Sequence, residues 1–295
     1  MNIKFLTWFC FFCIVLLTII PSCGGEKKVT QTSILKENSS IKIPPHEENW
    51  AFYLSTVDSS KASILLDLGL KNILPIDGSN YLAFVTLDLL QSGENGLGTK
   101  EEFEKLQDIE SSLELSLTAS NKSIYAGRIT TNGQREFYYY TADTINFENI
   151  CLNVVEDFKN YSFRIGFRSD SDWEIYQNVL YPNPEAMQSI QNARGIENLV
   201  NNGDALKSKR KISHWIYFRT EINRASFEKE ISKNGYRTEE LFSDESDTTF
   251  PFVIEISRND LVNYESIDSL VLPLFRLAKK HDGDYDGWET KIEKK

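Results

Sequence analysis

Two stretches of the sequence share one order of hydrophobic patterns, β-α-β-β-α-β. Apolar residues alternate along a strand but recur every three or four positions along a helix, which separates the two patterns. The first series extends from Tyr81 to Phe167, and the second extends from Ile212 to Ile292. This order of elements is that of ferredoxin-like domains. The sequence therefore predicts an α+β fold with two ferredoxin-like domains in tandem.

Local signals mark the ends of these elements. Thr99 and Glu102 form a capping-box pattern at the start of the first long helix. Asn132-Gly133 predicts a tight hairpin turn, and Asn183-Pro184 predicts the start of another helix. With the composition, these signals predict domains at residues 49–183 and 184–295, after a signal peptide at 1–22 and a flexible tether at 23–48.

The N-terminal segment predicts export. An apolar run of sixteen residues extends from Phe5 to Ile20, which is shorter than a typical membrane-spanning helix of about 20 residues. Ser22-Cys23 resembles a bacterial lipoprotein processing site, which implies that Cys23 is acylated and becomes the mature N-terminus. We expect a membrane-anchored lipoprotein of the bacterial cell envelope, facing the periplasm or the surface. A retained signal-anchor helix is the alternative.

Cysteines and charge limit the remaining possibilities. Cys10 and Cys13 leave with the predicted signal, so Cys151 is the one thiol in the mature domains and no internal disulfide can form. Residues 47–185 carry 22 acidic and 10 basic side chains, whereas residues 204–295 carry 18 and 16. A strongly acidic first domain repels phosphate, so we expect no nucleic-acid partner.

The first domain contains an aromatic and glycine-bearing set of motifs. They are Gly127-Arg128-Ile129-Thr130-Thr131-Asn132-Gly133, Arg135-Glu136-Phe137-Tyr138-Tyr139-Tyr140, Trp173, Tyr176 and Leu180-Tyr181-Pro182. On these residues, positions 47–185 resemble domain-of-unknown-function family 695. That family has no established activity, so the resemblance implies none.

The second domain contains another set of motifs. They are His214-Trp215-Ile216-Tyr217-Phe218, Phe227, Gly235-Tyr236, Leu277-Ala278-Lys279-Lys280-His281 and Tyr285-Asp286-Gly287-Trp288. On these residues, positions 185–293 resemble the regulator of ribonuclease E activity B family, with Glu289 where that family usually has Gly. The resemblance implies a small, non-catalytic, protein-binding domain. Because ribonuclease E is cytoplasmic and Cys23 implies export, we expect an unknown protein partner in the envelope.

The acidic end of the chain has a second interpretation. Asp282, Asp284, Asp286, Gly287 and Glu293 fit the spacing of a calcium-binding EF-hand loop. Such a loop needs a helix on each side and an apolar residue at its eighth position. Here no exiting helix is expected, and the eighth position is the charged Glu289. We therefore predict an acidic turn before a closing strand, with no metal and no cofactor.

Other candidate sites are weaker. Residues 93–100 mimic a phosphate-binding loop, but Thr99 separates the last glycine from the lysine. His46 is predicted to lie in the tether, and His214 is predicted to be a hydrogen-bonded strand residue. Cys151 has no evident basic neighbour. The aromatic run at residues 137–140 is typical of an RNA-stacking strand, although its acidic domain favours core packing instead.

These observations predict a lipid-anchored, non-catalytic envelope protein that binds or regulates a protein partner. The candidate binding residues are Asp282, Asp284 and Asp286, an acidic edge suited to a basic surface, together with Trp288, for which a structural role is the other possibility. The alternative function is an envelope hydrolase that uses carboxylates of the first domain. A cleft with a carboxylate of raised pKa favours the enzyme, and an exposed aromatic patch favours the binding protein.

Overall fold

The computed structural model describes residues 41–121, 123–244 and 246–294. The chain divides into two compact units, with the boundary between Tyr181 and Pro182. Each unit contains one antiparallel sheet with helices, so the prediction of an α+β fold is confirmed. Cys23 and the predicted signal peptide lie outside the described residues. Within those residues, no helix is long and apolar enough to cross a membrane.

The first unit is built on a six-stranded sheet with the order β1-β2-β4-β5-β3-β6, and all of its neighbouring strands are antiparallel. Its four later strands form the β4-β5-β3-β6 part, and the β1–β2 hairpin extends the β4 edge. The strands are β1 (Trp50–Val57), β2 (Ser60–Asp67), β3 (Tyr81–Asp88), β4 (Ile124–Thr131), β5 (Gln134–Thr141) and β6 (Phe163–Ser169), with helices α1 (Phe103–Asn121) and α2 (Thr144–Val155).

Both faces of this sheet are covered over its centre. Helices α1 and α2 cover one face and contribute to a core that includes Leu113, Phe137, Tyr139 and Phe147. On the opposite face, the Tyr140 ring stacks on Trp173, with ring centroids 3.6 Å apart. The hydroxyl group of Tyr140 also donates to Asp170 at 2.7 Å. The aromatic run at residues 137–140 is therefore buried, and the RNA-stacking interpretation is wrong.

The second unit is built on a four-stranded antiparallel sheet with the order β10-β7-β9-β8. All three helices contribute to a single core on one face of that sheet. The strands are β7 (Lys209–Phe218), β8 (Arg237–Ser243), β9 (Phe252–Leu261) and β10 (Gly283–Thr290), and the helices are α3 (Pro184–Asn201), α4 (Glu221–Ile231) and α5 (Ile267–Lys280).

Two of the predicted local signals are confirmed. Thr131 pairs with Gln134 across the turn, and both Asn132 and Gly133 have positive φ, as a type I′ hairpin turn requires. The Asn183 side chain accepts a hydrogen bond from the amide of Ala186 and caps α3.

The predicted capping box is wrong. Glu102 turns away from Thr99 and accepts hydrogen bonds from the backbone amides of Leu90 and Gln91, at 2.8 and 3.2 Å. Helix α1 consequently begins only at Phe103. Glu102 is buried, and these two backbone donors compensate the burial of its carboxylate.

Strand β10 carries a bulge at Asp286. Tyr285 pairs with Ile216 while Gly287 pairs with Trp215, so Asp286 is the extra residue. A bulge reverses the alternation of side chains beyond it. Tyr285 and Trp288 therefore both point toward the helices, where alternation alone allows one of them.

The segment just before β1 packs on the first unit. Ile41 is buried, and His46 Nε2 lies 2.9 Å from Asp67 Oδ2. Asp67 also accepts hydrogen bonds from the amides of Asn49 and Gly69. The placement of His46 in a flexible tether is therefore wrong, because a buried carboxylate holds it against the sheet.

Candidate functional site

One face of the second unit's sheet carries no helix of that unit. Along β7 the side chains of Ile212, Ile216 and Phe218 point into the core, and the intervening Trp215 and Tyr217 point to the opposite side. Trp215 and Tyr217 are half-buried. We call this opposite side the helix-free face.

The strand register sets out the helix-free face in rows. One row across the sheet is Gly287, Trp215, Glu255 and Glu240, and the next is Asp284, Tyr217, Val253 and Phe242. Val253 is fully buried, whereas Phe242 is 38% exposed. Trp215, Tyr217, Val253 and Phe242 are the apolar and aromatic members of these two rows. The centre of the face is therefore an apolar and aromatic platform.

Carboxylates surround this platform. Glu240 and Glu255 lie directly opposite each other on neighbouring strands, and like charges in that arrangement destabilise a sheet. Neither has an ion-pair partner among the described residues. Burial raises the pKa of the Tyr217 hydroxyl, and the charges of Asp286, Asp244 and Asp247 raise it further. Glu240 and Glu255 thus bring two carboxylates without a described ion pair to the edge of the platform.

The predicted acidic edge lies along one side of this face. Asp284 shares a row with Tyr217, and Asp286 is exposed at the bulge. Lys279 donates to Asp284, and Arg219 lies 3.5 Å from Asp282. Two of the three aspartates are therefore partly neutralised within the domain, and Asp286 has no ion pair with any described residue.

Sequence reasoning missed Trp215 and Tyr217 as site residues. The motif from His214 to Phe218 supports the family resemblance, and it also contains a second signal. Its alternation of buried and half-buried residues is the signal that predicts two aromatic side chains on the face away from the core.

Trp288 lies on the other side of the sheet. Its Nε1 donates to Asn192 Oδ1 at 3.0 Å, and its ring lies over Gly195 of α3. It also packs against the core of the second unit. This placement supports the structural role that the sequence left open.

The remaining nucleophile and base candidates are buried. His214 Nδ1 lies 2.8 Å from the Tyr285 hydroxyl, and burial lowers the pKa of His214 to about 3. Burial raises the pKa of the Cys151 thiol to about 12. Neither group is therefore suited to proton transfer or nucleophilic attack at neutral pH. Within residues 41–121, 123–244 and 246–294, no group of three or more His, Cys, Asp or Glu could hold a metal ion.

The first unit contains a cleft of about 470 Å³ between α1, the start of β4 and the segment that precedes β1. We call it the α1 cleft. Trp50 and Tyr125 supply aromatic walls, with ring centroids 5.4 Å apart. Glu48 and Glu114 supply carboxylates. Burial raises the pKa of Glu114, and the neighbouring charges of Glu110 and Glu48 raise it further.

Comparison with known families agrees with this division into two units. Residues 48–181 match the model described as a family of unknown function (DUF695). Residues 189–290 match the model described as regulator of ribonuclease activity B. The two matches follow each other along the chain in that order. Both family resemblances are therefore confirmed. The helix-free face lies within the residues that match the second model, and the α1 cleft is lined mostly by residues that match the first.

Individual proteins are less similar to the chain than these two family models. No curated protein matches the chain. A crystal structure described as an unknown protein from Galdieria sulphuraria is 9% identical, with 72% of this chain and 99% of that one covered and a TM-score of 0.20. A structure assigned as a candidate glycine cleavage system transcriptional repressor is 6% identical, with coverage of 72% and 98% and a TM-score of 0.21. At such scores neither structure bears on the fold.

Proposed function

We propose that this protein is a non-catalytic regulator whose second domain binds a protein partner through the helix-free face. The match to a family of regulators supports a role in protein binding. The observation that carries the proposal is the platform of Trp215 and Tyr217 beside Glu240 and Glu255, which form no ion pair with a described residue. Aromatic side chains that are partly desolvated are the residues that dominate binding energy in protein interfaces.

The charge of this face selects the kind of partner. Glu240 and Glu255 repel each other in the free domain. A basic partner segment would relieve that repulsion, and an arginine side chain would also stack on Trp215 or Tyr217. The partner is therefore a protein that presents arginine or lysine on an exposed segment. Asp286 and Asp284 extend the same acidic rim.

The test is site-specific crosslinking in intact cells. Trp215 is replaced by the photo-crosslinking amino acid benzoylphenylalanine, and the control places it at Ile222, which is 77% exposed on α4. We expect one protein adduct from position 215, at least about five times stronger than from position 222. The crosslinked peptide of the partner should be rich in arginine or lysine.

A charge variant makes the test sharper. Glu240→Gln with Glu255→Gln should weaken the adduct while the melting temperature stays equal or rises, because the repulsion is removed. The matched control is Glu197→Gln with Glu265→Gln, two exposed glutamates of the second unit outside its sheet. Equal adducts from positions 215 and 222, or an adduct that survives Glu240→Gln with Glu255→Gln, would contradict the proposal.

We further propose that the protein is anchored in the bacterial envelope by lipid on Cys23. The apolar segment before Ser22-Cys23 supports this location. Several acyl chains give durable attachment, since each buried methylene contributes about 0.8 kcal/mol. The family name refers to a ribonuclease, and an exported domain would bind a different protein.

The strand orders support a finer description of the fold as ferredoxin-like. Numbered within each β-α-β-β-α-β series, the strands of both sheets follow the order 4-1-3-2. We infer that both units share this topology, with the β1–β2 hairpin as an addition in the first.

One observation favours a second candidate function, an envelope hydrolase. Glu114 is a carboxylate of raised pKa beside a cleft, which suits a general acid. In that case the DUF695 domain would hydrolyse a glycan or a cationic substrate. Hydrolysis of a panel of fluorogenic glycosides and amides that Glu114→Gln abolishes would support it, and equal rates for both proteins would exclude Glu114.

A further inference from the structure

The α1 cleft combines an apolar wall with a negatively charged rim. Ile41, Leu70 and Ile124 are all at least nine-tenths buried and line its inner side. Glu48, Glu114 and His46 also line it, and no lysine or arginine among the residues that the structure describes does. A ligand that fills this space must therefore offer an apolar stem to one side and positive charge to the other.

The two arginines described near the cleft form ion pairs with Glu110. Arg128 Nε lies 2.7 Å from Glu110 Oε2, and Arg135 lies 3.6 Å from the same oxygen. The Tyr125 hydroxyl donates to the other oxygen of Glu110 at 2.7 Å. Both arginines thus pair with Glu110, and neither of them pairs with Glu114.

The cleft also orients an aromatic surface for a cation. Trp50 Nε1 donates to Glu48 Oε2 at 3.0 Å, which positions the indole ring. The same ring packs against Tyr125. Indole faces attract ammonium and guanidinium groups, most strongly where water is partly excluded. Trp50 and the two carboxylates therefore favour the same kind of ligand.

The electrostatic state of Glu114 is consistent with this. Burial, followed by repulsion from Glu110 and Glu48, raises its pKa above the ordinary value. The surroundings of Glu114 therefore disfavour its charged form, and a cation beside it would offset that penalty.

We propose that the α1 cleft binds a small aliphatic amine, with its ammonium group between Glu48, Glu114 and Trp50 and its alkyl stem against Ile41, Leu70 and Ile124. This site lies in the DUF695 domain and is independent of the protein-binding face proposed for the other domain. A volume of about 470 Å³ accommodates a short diamine or polyamine rather than a folded chain.

The experiment uses isothermal titration calorimetry of the full chain in detergent, with two probes of equal length. 1,5-Diaminopentane carries the two ammonium groups, and 1,5-pentanediol replaces them with hydroxyl groups. We expect the diamine to bind and the diol to give no measurable heat. Glu114→Gln and Glu48→Gln should each weaken diamine binding about tenfold or more, the equivalent of about 1.4 kcal/mol.

The matched control is Glu104→Gln, which removes one negative charge from the same helix at an exposed position outside the cleft. It should leave diamine affinity within about twofold. Unchanged melting temperatures in the absence of the diamine show that the variants are folded, and Trp50→Leu tests the ring separately. Equal binding of the diol, equal weakening by Glu104→Gln, or undiminished binding by Glu114→Gln would each overturn the proposal.

Discussion

His214 makes the stability of the second domain sensitive to acid. Its pKa is lowered from 6.5 to about 3 by burial, with a further contribution from the charge of Arg258. Below about pH 6.5 the unfolded chain gains a proton at this residue, and the folded domain does not. The contribution of His214 to the stability of the domain is therefore fully present above pH 6.5, and it is lost progressively as the pH falls toward 3.

The variant His214→Gln tests this, because glutamine can still bond the Tyr285 hydroxyl but does not titrate. We expect the free energy of unfolding of the wild type to fall by up to about 1.4 kcal/mol per pH unit more steeply than that of the variant. Urea denaturation between pH 4 and pH 7 measures both slopes. His46 and His281 are common to the two proteins, so parallel slopes would show that His214 is protonated in the folded domain.

At the scale of single residues, the sequence predicts whether a side chain is buried better than it predicts which residues that side chain contacts. Burial of His214 followed from its place in an alternating strand. The association of His46 with Asp67 could not be predicted, since the two residues are 21 positions apart and no local pattern links them. The sequence offers Thr99 as a local partner for Glu102. The Glu102 carboxylate instead accepts hydrogen bonds from the backbone amides of Leu90 and Gln91 in the loop before the helix.

Helix α3 and strand β10 are in close contact at Gly195. A Cβ atom added at this position would lie 2.8 Å from Trp288 Cζ2. Alanine normally stabilises a helix interior relative to glycine by about 1 kcal/mol. Here we expect Gly195→Ala to destabilise the domain by about 1–2 kcal/mol instead, because the ring must move.

The Trp288→Phe background serves as the control. A phenyl ring lacks the atoms that meet position 195, so Gly195→Ala should become neutral or stabilising there. Thermal or urea unfolding of the four proteins gives the coupling between the two sites. Equal effects of Gly195→Ala in both backgrounds would refute a direct contact between helix and ring.

At the scale of elements, hydrophobic periodicity predicts the order of strands and helices in both domains. Periodicity does not reveal how strands pair. The rows that bring Trp215 beside Glu255 and Glu240 depend on the register of three strands. The bulge at Asp286 depends on packing around Trp288, so the orientation of that ring could not be derived from alternation.

For the whole molecule, anchoring is the property that the N-terminal sequence predicts. If Cys23 is acylated, Cys23→Ser should leave the protein unprocessed or release it from the membrane fraction. Mass spectrometry of the membrane-extracted wild type should find an acylated N-terminal peptide that begins at Cys23. Recovery of residues 1–22 on the wild-type protein would contradict lipid anchoring and favour a retained signal-anchor helix.

Domain organisation followed from the sequence because each domain carries its own set of motifs. The positions of the two candidate sites could not be predicted from the sequence. The α1 cleft is formed by Glu48, Trp50, Glu114 and Tyr125, which come from three separate segments of the chain. Such convergence is a property of the folded domain, and no spacing along the sequence records it.

The bulge in β10 makes the length of this strand as important as its composition. Deletion of Asp286 alone would remove the bulge and leave Gly287 opposite Trp215 and Trp288 opposite His214, so the indole ring would still face the helices. Insertion of one further residue between Tyr285 and Trp288 would instead reverse every residue beyond it. Trp288 would then point to the helix-free face, and the charged Glu289 would point toward the core. Homologous chains should therefore lose the bulge residue more readily than they gain a second one.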